Sequence, residues 1–176
     1  MKLKKLLFFA AMSLTVLTLG ACSMKTSILK DVNITFKGAN GEGTMEVEKE
    51  DGQKLIDNIV DTLAKKAKLD DYLTEKIKDG IKENGMDDFI GNDDDDDEYD
   101  DEEDDEVTLS SLEKNATSDE RDSLVKFSRW IKEVKMTNSR ETGLKNGDKF
   151  KVIVRTGDKE NPIKEETKVY TVKGLK

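Results

Sequence analysis

The sequence predicts an α+β domain, and three observations carry that prediction. Stretches that alternate apolar and polar residues stand near both ends of the chain, each beside an Asn-Gly dipeptide, and segments of helical period lie between them. The helical part is interrupted from Asp93 to Glu106, where thirteen of fourteen residues are carboxylates. The expected architecture is a small antiparallel sheet from N- and C-terminal hairpins, sandwich-like in one arrangement. About three helices are inserted between the hairpins, and the acidic run is a disordered loop.

The first element is an address. Lys2, Lys4 and Lys5 form a basic start, and Leu6 to Leu19 is an apolar run of secretory length, too short for a comfortable membrane span. The run closes in Leu19-Gly20-Ala21-Cys22, which resembles the lipobox of bacterial lipoprotein precursors. The resemblance implies that residues 1–21 are a signal peptide cut before Cys22. It also implies that Cys22 carries a diacylglyceryl thioether, often with an acylated amino group. Two or more chains exceed the single-chain limit at which membrane binding is marginal. Cys22 is the sole cysteine, so it has no disulfide partner in the chain, and one thiol cannot build a zinc site. The competing reading, a chance cysteine after a cleaved leader, would leave an unexplained free thiol.

Residues 22–30 are expected to be the lipid anchor and a polar tether, and 31–176 a single extracellular domain with an acidic insert at 91–107. Val32, Ile34 and Phe36 alternate with polar residues, as do Met45 and Val47. Asn40-Gly41 lies between them, which predicts a hairpin with strands near 31–37 and 43–48. From Asp51 the period becomes helical, with Leu55, Ile56, Ile59, Val60, Leu63 and Ala67 on one face. A second helix starts with Asp70 or Asp71 as cap and presents Tyr72, Leu73, Ile77 and Ile81. Gly80 weakens it and Gly85 ends it. A third begins at Thr117 or Ser118, with Glu120 placed for a capping box, and carries Leu124, Phe127, Trp130, Ile131 and Val134 as a stripe. Aromatics at that spacing are read as core rather than as a ligand grip. The chain closes in strands around Val134 to Asn138, at Phe150, Val152 and Val154 after Asn146-Gly147, and at Tyr170, Val172 and Leu175.

The segments "FKGANGEGTMEV", "GLKNGDKFKVIV" and "YTVKGL" are similar to a module of Gram-positive surface lipoproteins, with the pattern F-x-G-x-N-G-x-G, then L-x-N-G-D-x-V-x-V, then Y-x-V-x-G-L. Phe150 stands where that pattern has valine. The resemblance implies a small extracellular β-rich module of unassigned function and supplies no catalytic residues.

The acidic run offers oxygen ligands for calcium, with Asp93, Asp95, Asp97, Asp100 and Asp104 as candidate ligands. An EF-hand does not fit, because Glu98 stands where the sharp turn needs glycine and Asp104 replaces the closing glutamate. Adjacent like charges push a chain outward, so a solvated spacer with diffuse cation uptake is the preferred reading. Lys65, Lys66 and Lys68 could form a docking patch, although cations near a helix C-terminus are favoured by its dipole alone.

Catalysis finds little to use. The chain has no histidine and no Gly-x-Ser-x-Gly, and among 39 acids some pair will always suit a glycosidase. Removing residues 1–21 takes away three lysines and no acids, leaving 27 basic against 39 acidic side chains and a formal charge of −12. That balance argues against nucleic acid as a partner. The expected function is a noncatalytic binding or scaffolding module at the cell envelope, lipid-anchored on the extracellular face of a Gram-positive membrane. Its expected partner is an envelope protein or wall component. Weak calcium binding is the alternative, and a cell-wall hydrolase a more distant one. No cofactor is expected beyond the lipid on Cys22.

Overall fold

β1 (Thr35–Lys37) and β2 (Thr44–Glu46) pair as the N-terminal antiparallel hairpin, with Phe36 opposite Met45. In this computed structural model the described residues are 25–91 and 107–176. α1 (Lys49–Ala67) follows, then α2 (Asp71–Asn84), α3 (Met86–Ile90), α4 (Leu109–Asn115) and α5 (Ser118–Lys132). β3 (Lys135–Asn138), β4 (Lys149–Arg155) and β5 (Glu166–Thr171) form an antiparallel sheet in the order β3-β4-β5.

The class is therefore α+β, as the alternation and helical periods predict. The two hairpins do not share one sheet, however: the N-terminal pair and the C-terminal three strands are separate. An isolated bridge, Gly43 to Leu144, joins them, and the rings of Phe36 and Phe150 meet edge-on with centroids 5.5 Å apart. Among the described residues there are five helices rather than three. The two extra ones are short, and α4 is set by a capping box in which Thr108 and Ser111 satisfy each other's backbone.

The caps follow the residues that predict them. The Asp70 carboxylate accepts from the Leu73 amide at 2.8 Å, and Thr117 with Glu120 forms a reciprocal box at the start of α5. The Glu120 carboxyl is held below its usual range by the Thr117 hydroxyl and amide. Gly80 has a reason beyond propensity. A Cβ there would lie 2.7 Å from the Phe89 ring and 2.9 Å from the Val107 carbonyl oxygen, so its absence lets α3 close on α2.

One core unites these parts. Val60, Leu63 and Ala64 of α1, Leu124, Phe127 and Ile131 of α5, and Phe150, Val152 and Val154 of β4 are buried together. Trp130 is 4% exposed, so the stripe on α5 is core, and its indole N–H donates to Asp158 Oδ2 at 3.2 Å. Asn161 is fully buried and tied on both sides: its amide donates to the Trp130 carbonyl, and its Oδ1 accepts from the Ile163 N–H, both at 3.0 Å.

The expected tether is too long. Ile28 and Leu29 are buried in the core, and Thr26 pairs in parallel with Ile163. The Ser27 hydroxyl donates to Glu166 at 2.6 Å, and Lys168 donates to the Leu29 carbonyl at 2.8 Å. The polar look of residues 23–30 hides two aliphatic anchors, so the packed domain includes Thr26 to Leu29 as well as the residues from 31 onward.

Candidate functional site

The three motifs that carry the resemblance meet at one place. The Asn40 side chain accepts from the Asn146 amide at 2.8 Å, and the Asn40 amide donates to the Lys176 carbonyl at 2.7 Å. The Asn146 side chain donates to the Leu175 carbonyl at 2.8 Å and accepts from the Leu175 amide at 3.1 Å. Gly41 and Gly147 hold φ values of 104° and 95°, the left-handed backbone that an Asn-Gly turn requires. Gly43 lets the C-terminus approach, since a Cβ on it would lie 2.5 Å from Leu175. These asparagines and glycines form a structural clasp that holds the β1–β2 turn against Asn146 and the last two residues, and they offer no reactive group.

The domain also carries an apolar groove. Leu55, Ile56 and Ile59 of α1 line it, with Met86 and Ile90 around α3 and Met136 on β3, and they enclose about 740 Å³. Asp87 and Lys132 add its charged lining. A smaller recess of about 220 Å³ shares Val47, Leu55 and Met136 with it and continues beneath Met45 and Asn138. The larger volume lies within the range of binding pockets, and the lining of both is mostly aliphatic or thioether.

Backbone polarity at the rim completes the site. β3 is the outer strand of its sheet, and the Ser139 amide donates to the Lys151 carbonyl at 3.0 Å. Alternation along an antiparallel ladder then turns the N–H and C=O of Met136 and Asn138 away from β4. Gly43 bonds Leu144 in both directions, so by the same alternation Met45 and Val47 direct theirs away from β1. Among the described residues neither outward row has a strand partner. The groove thus offers an apolar bed and, at its rim, strand edges with outward donors and acceptors.

Among the described residues the groove is lined by side chains that were not predicted as site residues. Cys22 and the calcium candidates Asp93, Asp95, Asp97, Asp100 and Asp104 lie outside the described residues. Among the described residues no group of three or more His, Cys, Asp or Glu side chains is placed to hold a metal ion. Lys65, Lys66 and Lys68 are exposed near the end of α1, where the dipole accounts for them. Sequence reasoning put Leu55, Ile56 and Val47 on a core face. The signal it lacked is pairwise: a residue that faces inward can face a gap, and only the fold tells the two apart.

No family model, no curated protein and no solved structure matches the chain. Among the described residues no helix is long and apolar enough to cross a membrane.

Proposed function

We propose that the chain is a lipoprotein anchored through Cys22 on the outer face of a bacterial membrane, and that its domain is a noncatalytic binding module. The ligand is an extended polypeptide of an envelope partner, with apolar side chains at alternate positions. The observation that carries this reading is the combination in the groove of an aliphatic bed with outward backbone donors and acceptors on β3. An added strand would bond Met136 and Asn138 and bury every second side chain against Leu55 and Ile56, the mode known as β-augmentation. A small amphiphile would use the bed and ignore the edge.

Peptides selected from a displayed random library against the mature chain carrying Cys22→Ser separate these outcomes. Met136→Pro removes an N–H that points off the edge, a place where a strand tolerates proline. It is expected to keep the fold and weaken peptide binding at least about tenfold, as is Ile56→Lys. Peptide binding indifferent to Met136→Pro but lost in Ile56→Lys would refute strand addition and favour the amphiphile.

A further inference from the structure

β4 reads Lys-Phe-Lys-Val-Ile-Val-Arg, and its pleat sorts these residues onto two faces. Phe150, Val152 and Val154 are buried, while Lys149, Lys151 and Arg155 are exposed on the other side with half-buried Ile153 between them. The register adds Lys135 opposite Arg155, and Val169, 53% exposed, opposite Lys151. Four basic side chains thus surround two apolar ones on the outer face of the sheet. Among the described residues none of the four makes an ion pair. By the same alternation Asp148 and Glu166 fall on the opposite face. Glu165 shares the basic one, with an oxygen held by the Thr156 amide at 2.9 Å. A basic face of this kind is unexpected on a chain of net charge −9.

Thr26 supplies the second observation. The Thr26 amide donates to the Pro162 carbonyl and its own carbonyl accepts from Lys164, both at 2.8 Å, near the turn that joins β4 to β5. Four residue steps separate Thr26 from Cys22, and a fully extended chain covers at most about 14 Å in that distance. A lipid on Cys22 would therefore keep this end of the sheet within reach of the headgroups, where attraction between basic side chains and anionic lipid acts over about 8 Å.

We infer that the outer face of the three-stranded sheet, formed by Lys135, Lys149, Lys151 and Arg155 around Ile153 and Val169, lies against the anionic headgroup layer of the membrane. The inference rests on anchoring through Cys22. It leaves the groove, whose Met136 lies on the opposite face of β3, turned away from the lipid and open to a partner.

The test uses the lipidated mature chain carrying Thr137→Cys, labelled with a thiol-reactive fluorophore, in phosphatidylcholine vesicles with and without phosphatidylglycerol. A nitroxide on the lipid headgroup is the quencher, and Glu83→Cys on α2 is the control position. Thr137 is expected to be quenched several-fold more strongly than Glu83, only with phosphatidylglycerol, and less as salt rises. Lys149→Gln and Lys151→Gln are each expected to weaken the docked state about fivefold. Equal quenching at both positions, or indifference to phosphatidylglycerol, would overturn the inference. So would shielding of Thr137 from aqueous iodide without vesicles, which would mean that an acidic run of this chain or of a second copy covers the face. Lipidated Cys22 has no free thiol, so one label per chain is expected. Two labels would refute the anchor itself, and this inference with it.

Discussion

Asn146 shows how much a single side chain can organise. Its amide both donates to and accepts from the Leu175 backbone, fixing the C-terminus against the N-terminal turn. At about 1 kcal/mol per bond, Asn146→Ala is expected to lose about 1–2 kcal/mol in urea unfolding, and Asn146→Asp to lose a similar amount. Asp51 acts through its charge. The carboxyl is held below its ordinary value of 3.8, first by the Asn33 backbone N–H and then, against the opposing effect of burial, by Lys54. A lowered folded value means that the carboxylate stabilises the fold above its ordinary range, and that this contribution is lost as pH falls through the depressed value. Asp51→Asn is therefore expected to be less stable than the parent at neutral pH. Acid titration of unfolding should bring the two curves together below pH 3.8.

At the scale of elements, Gly80 sets two effects against each other. Helix propensity favours alanine there by about 1 kcal/mol, whereas crowding against Phe89 and the Val107 carbonyl costs about 1–3 kcal/mol. Packing outweighs propensity, so Gly80→Ala is expected to lower the melting temperature, and a rise would contradict the close seating of α3 on α2. Elements were legible in the sequence wherever their signal was local. The caps at Asp70 and Thr117, the end of α2 at Gly85 and the alternation of β4 needed only a few adjacent residues. The short α4 was not anticipated, because its Thr108 cap and Leu109 follow the acidic run directly. The division into two sheets was not legible either. It depends on whether the edge of β2 meets β3, a contact between residues some ninety positions apart that no periodicity encodes.

For the whole molecule, the same limit governs function. The basic sheet face draws on three segments, Lys135, Lys149 to Arg155 and Val169, and becomes a face only through strand register. Net charge hid it, since the acids of the chain outnumber its bases by nine. The groove was hidden in the same way, because its residues read as ordinary core until the fold left them facing open space. The proposed arrangement joins these parts: a lipid at Cys22, a sheet laid on the bilayer and a groove facing outward for an extended partner. Its central claim is the anchor, since location, orientation and access all follow from it. The most direct measurement is the intact mass of the full chain expressed in a bacterium and extracted from membranes in detergent, beside Cys22→Ala. The account predicts a polypeptide that begins at Cys22 and carries the added mass of a diacylglyceryl group, with or without an N-acyl chain. A mature chain with an unmodified Cys22, or a Cys22→Ala protein that still carries lipid, would contradict it.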